Sequence, residues 1–270
     1  RTLDGPPSAG DGERAFPIVH LGSEYLGLAR TGGLGEVMCR LAEVQAARGH
    51  PVTAFLPAYR TAREQAPGLR PFGDPLEVPL GLGVQTVRLL EVTGEAAGPR
   101  IFLVEHPDFF DRPGMYGEGG GDYEDNHLRF ALFSRAVIEA LPHVCDEPPL
   151  VHAHDWHAAL APVYARSLLA DDPFYQSAPF VLTVHNAGYQ GHFGYEVMEE
   201  IGLPAALYHW KYLEWYDKVN FLKGGLAFSD YVTTVSPTHA HELRTRFGGF
   251  GLHEAFMSLQ DHFVGILNGI

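Results

Sequence analysis

The order of apolar and polar positions predicts buried strands alternating with amphipathic helices along most of the chain. Ala15 to Gly22 is an apolar stretch typical of a buried strand, and a helix begins near Leu34 with apolar residues at the spacing of one helix face. Gly49 follows the last helical turn, where a left-handed residue is expected. The next strand runs from Val52 to Leu56. The result is a β-α-β unit with glycines at the carboxyl end of its first strand.

The rest of the chain continues this alternation. Residues 76–92 predict an antiparallel strand pair, and a long loop follows from His106 to Tyr123. Further strands are predicted at Arg100–Val104, Leu150–Ala153, Phe180–Val184, Tyr231–Val235 and Phe263–Leu267, and helices at Asp125–Leu141, Trp156–Ala170, Tyr195–Ile201, Lys218–Phe228 and from Pro237, after an N-cap at Ser236, to about Arg246. Such a pattern predicts a Rossmann-like α/β fold, with a mainly parallel sheet and helices on both faces.

Composition narrows the possible partners. The chain has 270 residues and 46% of them are apolar, enough for a sizeable core and against disorder. Acidic residues outnumber basic ones by 33 to 19, which disfavours nucleic acid or an anionic membrane as the main partner but allows a locally bound anion. Cys39 and Cys145 lack motif spacing, so a reducing compartment, the cytoplasm, is expected. No apolar run approaches the ~18 residues of a membrane span.

The two ends of the sequence suggest a larger protein. Residues 1–14 are polar with several glycines and prolines, as in a linker or tail. The last residues, FVGILNGI, form an apolar strand with nothing after it. We therefore expect one domain over residues 15–270 that is a piece of a longer chain.

The glycine turn, Thr31 to Gly33 with Gly35 just beyond, lies where open α/β sheets bind ligands. Its glycines allow close approach to the backbone, free amides at a helix start favour an anion, and Arg30 suits phosphate. The alternative is a purely structural turn beside a surface charge. Met38 stands where the dinucleotide fingerprint needs its last glycine, so a nicotinamide dehydrogenase is disfavoured.

The stretch VHAHDWH carries the second candidate group. We expect His152 and His154 to point to opposite sides of their strand, with His154 functional at its exit and Asp155 capping the next helix. A competing hypothesis is a metal-dependent hydrolase built on His152, His154 and His157. The order resembles the H-x-H-x-D-H pattern, but Asp155 comes one place early.

Hydrogen-bonding side chains also follow the strand that ends at Val184. His185, Asn186, Tyr189 and Gln190, interleaved with glycines, suit a polyhydroxylated ligand, although an ordinary loop would use the same residues for turns. Asp125 and Asn126 open the helix after the long loop. Asp125 either caps that helix or projects into a cleft.

Six segments together resemble bacterial glycogen synthases and plant starch synthases. They are RTGGLGEV, DNHLRFALFSRA, VHAHDWHAAL, TVHNAGYQG, NFLKGGLAFSDYVTTVSPTHAHE and GILNGI, in the family's order and covering Phe16 to Ile270. The resemblance implies the N-terminal half of a GT-B fold, in which two Rossmann-like domains face a cleft. It also implies transfer of glucose from ADP-glucose, less often UDP-glucose, to the non-reducing end of an α-1,4-glucan, with retention and without a metal or other cofactor.

The same resemblance assigns roles to individual residues. Arg30 stands where the family usually has lysine, and Glu36 where it commonly has aspartate. His154 is expected beside the transferred glucose. The implied catalytic residues are His154, Asp125 and Arg30, and the implied substrate-binding residues are Thr31, Gly32, Gly33, Glu36, Asn126, His152, His185, Asn186, Tyr189, Gln190 and Asn268.

In this family a C-terminal domain carries most contacts to the nucleotide, and that domain would face this chain across the cleft. We therefore expect the 270-residue chain to have little or no transferase activity by itself. A non-catalytic glucan-binding or scaffold domain is the main alternative, and the metal-dependent hydrolase comes after it.

Overall fold

The computed structural model describes residues 15–81, 83–94 and 98–269, so the tail predicted at residues 1–14 lies outside the described residues. Fourteen strands are assigned in this part of the chain. They are Ile18–Leu21 (β1), Val52–Pro57 (β2), Leu69–Leu80 (β3), Gly83–Val92 (β4), Arg100–Glu105 (β5), Gly117–Glu118 (β6), Gly121–Asp122 (β7), Leu150–His154 (β8), Phe180–Val184 (β9), His192–Phe193 (β10), Glu214–Trp215 (β11), Lys218–Asn220 (β12), Tyr231–Thr234 (β13) and Phe263–Gly265 (β14).

Helices connect most of these strands, and two 3-10 turns, Ala205–Leu207 and Gln260–His262, supplement them. The α-helices are Leu34–Ala47 (α1), Arg60–Gln65 (α2), Pro107–Phe110 (α3), Asn126–Val144 (α4), Leu160–Leu168 (α5), Pro173–Ser177 (α6), Val197–Glu200 (α7), Phe221–Phe228 (α8), Pro237–Leu243 (α9) and His253–Ser258 (α10). Among the described residues, no helix combines the length and apolar character needed to cross a membrane.

A nine-stranded sheet forms the centre of the fold, in the order β14-β13-β9-β8-β1-β2-β5-β4-β3. The strands from β14 to β5 pair in parallel, whereas β4 pairs antiparallel with both β5 and β3. The predicted mainly parallel sheet is confirmed. The antiparallel pair predicted over residues 76–92 is also present, and its first strand begins earlier, at Leu69.

Helices cover both faces of this sheet. His20 on β1 faces α1, where it contacts Gln45, and the neighbouring His152 shares its side of the sheet. Leu182 on β9 points the other way and packs close to Gly225 of α8. Because side chains alternate along a strand, the two helices lie on opposite faces.

The first β-α-β unit agrees with its prediction. Helix α1 begins at Leu34, and Met38 and Ala42 are fully buried beneath it. Gly49 has a φ of +93°, the left-handed conformation expected after the helix. The N-cap at Ser236 is confirmed as well, because its hydroxyl accepts a hydrogen bond from the His239 amide at 3.0 Å.

Two predicted boundaries were wrong, and one predicted loop contains further elements. The helix predicted from Trp156 begins only at Leu160, after a turn, and the segment from Lys218 starts as strand β12 before helix α8 begins at Phe221. Pairing of β12 with β10 and β11 outweighs the local helical pattern there. The long loop after His106 contains the short helix α3 and the β6-β7 hairpin.

Candidate active site

The carboxyl edge, where β1, β8 and β9 end, gathers the candidate residues. Ile18 of β1 pairs with Leu150 of β8, and His154 of β8 pairs with Thr183 of β9, so these parallel strands end side by side. The glycine turn follows β1, and His185 follows β9. The topology therefore brings together three segments, of which the first lies more than a hundred residues before the other two in sequence.

Glu24 organises the glycine turn from within. Its carboxylate accepts hydrogen bonds from the Thr31 amide (2.9 Å), the Thr31 hydroxyl (2.7 Å) and the Gly32 amide (2.9 Å). Burial alone would raise the pKa of Glu24, but these amides and the hydroxyls of Thr31 and Tyr116 lower it. An ionised carboxylate of the protein thus occupies two amides of the glycine turn.

The glycines of the turn differ in the space around them. A Cβ added at Gly32 or Gly33 would meet nothing within 4 Å, whereas one at Gly35 would lie 3.1 Å from the Cβ atoms of Glu24 and Arg30. Gly35 therefore lets the helix start pack against the turn. Gly32 and Gly33 present bare backbone to open space, as close approach of a ligand requires.

Arg30 and Glu36 lie on the outer side of the turn. Their side chains are about half exposed and approach to 3.5 Å, a weak surface ion pair. The guanidinium of Arg30 is therefore available to a negatively charged ligand that approaches the glycine turn.

The tyrosine loop, residues 106–123, folds onto this edge through Tyr116. The Tyr116 hydroxyl donates to Glu24 at 2.9 Å and lies 2.8 Å from the Ser23 hydroxyl, while its ring stacks on His157. The long loop thus closes against the residues that shape the glycine turn.

Two arginines hold the tyrosine loop. Arg112 binds both carboxylate oxygens of Asp125, at 2.7 and 2.6 Å, and Arg129, fully buried on α4, donates to the carbonyls of Phe109 and Met115. Partial burial of Asp125 opposes ionisation, but Arg112 lowers the pKa of this carboxyl. Asp125 occupies the N-cap position of α4, yet its side chain makes no capping hydrogen bond.

Asn126 has its polar groups committed within the protein. Its amide donates to the Tyr116 carbonyl at 2.9 Å, and its oxygen accepts from Arg129 at 2.7 Å. The side chain is buried and supports the tyrosine loop.

The prediction that His152 and His154 point to opposite sides was wrong. Their rings stack at 4.3 Å, because residues two apart on a strand share one face. His152 bonds to the Thr183 hydroxyl at 2.6 Å. His154 bonds through its two ring nitrogens to His20 and to His185, each at 3.0 Å.

These imidazoles are electrically neutral at pH 7. Burial lowers the pKa of His20 and of His185 to about 4 each, and burial together with neighbouring histidines holds those of His152 and His154 well below the usual value. The cluster therefore supplies hydrogen bonds at the carboxyl edge, without positive charge.

We had predicted that Asp155 caps the helix that follows it, and this prediction was wrong. Its backbone is left-handed, with φ of 56°, and its carboxylate accepts from the amides of His185 (2.7 Å) and Asn186 (3.3 Å). Burial raises the pKa of Asp155 to about 7, against the opposing effect of these amides. The carboxylate fixes the end of β9 to the end of β8.

The His185 loop, residues 185–191, divides into an exposed part and a buried part. Asn186 and Tyr189 are exposed, and Tyr189 keeps 69% of its accessible area. Gln190 is buried; its amide donates to the carbonyls of Ala187 and Phe250, and its oxygen accepts from Asn220. Gln190 therefore shapes the loop.

Asn268 lies further along the same edge. Its backbone amide donates to the Val235 carbonyl at 3.2 Å. Asn268 follows β14, which is separated from β8 by β13 and β9. It is half-buried, and the structure does not bring its side chain into the group formed by His154 and His185.

Comparison with known proteins assigns this architecture. A sequence model of the family described as "starch synthase catalytic domain" matches residues 17–258. The chain belongs to this family. The resemblance drawn from the six segments is thereby confirmed.

Relatives within the starch synthase family support the assignment. The chain is 38% identical over 253 residues to a glycogen synthase of Syntrophotalea carbinolica, covering 94% of the chain and 52% of that protein. It is 40% identical over 253 residues to a glycogen synthase of Koribacter versatilis, covering 94% and 51%. The chain spans about half the length of the curated relatives it matches.

A solved starch synthase shares the fold. The catalytic domain of starch synthase IV from Arabidopsis thaliana, bound to ADP and acarbose, superposes with a TM-score of 0.85 at 33% identity, covering 95% of this chain and 52% of that one. The α/β fold is therefore that of a GT-B starch synthase catalytic domain, and this chain spans about half of the one it matches.

The histidines proposed as metal ligands are not brought together as a set of three. His157 stacks on Tyr116 and meets the Phe130 ring edge to face, and among the described residues it is not grouped with His152 and His154. His20 replaces it in the cluster, with nitrogens of the three rings within 4.8 Å. His154, however, already uses both of its ring nitrogens in hydrogen bonds to His20 and His185.

Sequence reasoning missed Glu24, Tyr116 and His20. Glu24 follows β1 by three residues, so the rule that ligands bind at strand carboxyl ends would have included it. His20 interrupts the apolar run IVHL, a signal for a buried polar contact. Tyr116 lies in a loop without periodicity, and only the folded chain shows its contact with Glu24.

Proposed function

We propose that this chain is the N-terminal domain of a retaining glucosyltransferase that extends α-1,4-glucans from ADP-glucose, less often UDP-glucose. The observation that carries the proposal is the convergence of the glycine turn, His154 and the His185 loop at one carboxyl edge in a member of the starch synthase family. The ADP and acarbose named with the Arabidopsis relative support a nucleotide-sugar donor and a glucan acceptor.

The donor diphosphate would approach Arg30, Gly32 and Gly33. Thr31 contributes to the shape of the turn, because Glu24 holds its amide and hydroxyl as well as the Gly32 amide. The Gly33 amide and the first-turn amides of α1 are left for phosphate oxygens. Together with Arg30 they would stabilise negative charge on the departing diphosphate.

The transferred glucose would contact His154. Because this imidazole is buried and neutral, it can orient a sugar hydroxyl by a hydrogen bond but cannot supply a charge. Asp125 has both carboxylate oxygens bound by Arg112. It would act by holding the tyrosine loop over the sugar.

The glucan end would lie on the His185 loop. Asn186 and Tyr189 are exposed, so an amide and an aromatic face are available for sugar hydroxyls and ring faces. His152 and Gln190 would act from beneath by supporting His154 and the loop. Glu36 and Asn268 would line the two ends of the cleft.

A C-terminal domain would complete the cleft and supply the remaining donor contacts. The coverage of the relatives supports this proposal, since the chain matches about half of each. The cytoplasmic location expected from the cysteine usage stays a prediction.

The proposal is tested by transfer of radiolabelled glucose from ADP-glucose or UDP-glucose to maltoheptaose. The longest natural form of the protein that contains these residues should transfer glucose, and the 270-residue chain alone should transfer little or none. Glucan binding without transfer by the long form would replace the proposal with a non-catalytic glucan-binding domain. Transfer by the 270-residue chain at the rate of the long form would contradict the need for a second domain.

A further inference from the structure

A chain of hydrogen bonds runs from the His185 loop to helix α1. His185 Nε2 contacts His154 Nδ1 at 3.0 Å, and His154 Nε2 contacts His20 Nδ1 at 3.0 Å. His20 Nε2 then contacts Gln45 Oε1 at 2.6 Å. Gln45 lies eleven residues after Leu34 on α1, roughly 16 Å along the helix from the glycine turn.

Neutral imidazoles restrict how protons can be arranged in this chain. Each ring has one N–H and one lone pair, and each hydrogen bond needs one of each. His20 and His154 are fully buried, and burial keeps the rings uncharged. Only two arrangements satisfy every bond: all N–H groups point towards Gln45, or all point towards the carboxyl edge.

Gln45 decides between these arrangements, because it ends the chain. Its carboxamide oxygen faces His20, and an oxygen only accepts, so His20 must carry its proton on Nε2. His154 then donates from Nε2 to His20, and His185 donates from Nε2 to His154. His185 Nδ1 is left with a lone pair, and within the described part of the chain no group donates to it.

We propose that Gln45 is a positioning residue that sets the tautomers of His20, His154 and His185, and thereby the hydrogen-bonding character of the candidate acceptor site. The inference deepens the proposed function and rests on it for the role of the ligand. With Gln45 as acceptor, His185 Nδ1 accepts a hydrogen bond from a sugar hydroxyl. If the Gln45 carboxamide were turned so that its nitrogen faced His20, His185 Nδ1 would carry the proton and would donate to the sugar hydroxyl.

The test reads the tautomers directly, in the 270-residue chain labelled with ¹⁵N-histidine. Long-range ¹H–¹⁵N correlations separate the protonated from the unprotonated ring nitrogen. We expect protonated Nε2 in His20, His154 and His185. A protonated Nδ1 in any of these rings would overturn the proposed arrangement.

Substitutions at Gln45 test whether that residue is the cause. Gln45→Glu retains an acceptor and should keep all three tautomers. Gln45→Lys offers only donors and should move the proton to Nδ1 in all three rings, although Gln45 hydrogen-bonds directly to only one of them, His20, among the described residues. Unchanged tautomers in Gln45→Lys would refute the role of Gln45.

Two further variants keep the test interpretable if a substitution disturbs folding. Glu43→Gln, an exposed change on the same helix, is the matched control and should leave the histidine signals in place. If Gln45→Lys does not fold, Gln45→Met removes both donor and acceptor and should give mixed tautomers; one unchanged set of tautomers would refute the proposal.

The same samples separate this inference from the proposed function. Maltoheptaose added to the wild-type chain should shift the His185 Nδ1 resonance and leave that of His152 unchanged. Expected tautomers without any shift would leave the role of Gln45 intact and count against the acceptor site. Unexpected tautomers together with a shift would refute the role of Gln45 and support the acceptor site.

Discussion

Glu24 accepts hydrogen bonds from both the amide and the hydroxyl of Thr31, seven residues further along the chain. The side chain is only 5% exposed and also receives the Gly32 amide and the Tyr116 hydroxyl. The glycine turn is therefore held by a carboxylate of this protein before any ligand arrives.

Glu24→Gln should destabilise the domain. The new amide group would face backbone N–H donors, so at least one hydrogen bond to a charged acceptor is lost, at a cost of about 1.5–3 kcal/mol. Guanidinium unfolding of the 270-residue chain measures this. Glu36→Gln, on the exposed side of the same turn, is the control and should change the unfolding free energy by less than about 0.5 kcal/mol. Equal effects of the two variants would contradict the role assigned to Glu24.

Alanine substitutions should separate the binding glycines from the packing glycine. Gly33→Ala places its Cβ in open space and should leave the melting temperature unchanged while weakening ADP-glucose use in the longest natural form. Gly35→Ala should lower the melting temperature, because its Cβ meets Glu24 and Arg30 at 3.1 Å. Thermal melts and the Michaelis constant for the donor are the two measurements. A Gly33→Ala variant with normal donor kinetics would argue against a donor site at this turn.

Asp155 should make stability fall as pH rises. Its pKa is about 7 in the folded chain, against an ordinary value of 3.8 for an aspartate, so between these values the folded state holds a proton that the unfolded state has released. Folding then loses up to about 1.4 kcal/mol per pH unit across that window. Asp155→Asn removes this dependence, and its stability relative to wild type should increase from pH 4 to pH 7.

Urea unfolding at several pH values checks the Asp155 prediction. Asp172→Asn is the matched control, since this aspartate also accepts a backbone amide, that of Phe174, but is exposed. A flat difference between Asp155→Asn and wild type across the window would show that Asp155 is ionised throughout.

His157 should have the opposite pH dependence. Burial lowers the pKa of His157 to about 3. Below pH 6.5 the unfolded state therefore binds a proton that the folded state does not bind, and the free energy of unfolding falls on acidification. Its buried Nδ1 also lacks a hydrogen-bond partner among the described residues. His157→Phe should keep the ring contacts with Tyr116 and Phe130 and should gain about 1.4 kcal/mol on wild type per pH unit below 6.5.

Thermal unfolding between pH 5 and pH 7 measures this gain. His241→Gln, at an exposed position, should follow the wild-type curve. A constant difference between His157→Phe and wild type over this range would mean that His157 titrates normally in the folded chain.

Local sequence patterns sufficed for the part of the fold that depends on neighbouring residues. Strand β1, the start of α1 at Leu34 and the left-handed Gly49 follow from apolar spacing and backbone preference. The position of the glycine turn at a carboxyl edge follows from the parallel topology that these elements imply.

The remaining features depend on contacts between distant segments. Asp155 looks like a helix cap in sequence, yet its carboxylate binds amides thirty residues later, which no local pattern encodes. Tyr116 reaches Glu24 across 92 positions in the chain. The orientation of His152 and His154 could have been predicted, because alternation places residues two apart on one face; that error was one of reasoning.

The carboxylate of Asp155 has a consequence for how such a site can diverge. It ties the backbone of His185 and Asn186 to the end of β8, so the segment carrying His154 and the start of the His185 loop form one rigid body. A ligand that widens the gap between them would have to break these hydrogen bonds. In the proposed function, acceptor preference would then depend on the exposed side chains of Asn186 and Tyr189, which lie beyond these hydrogen bonds.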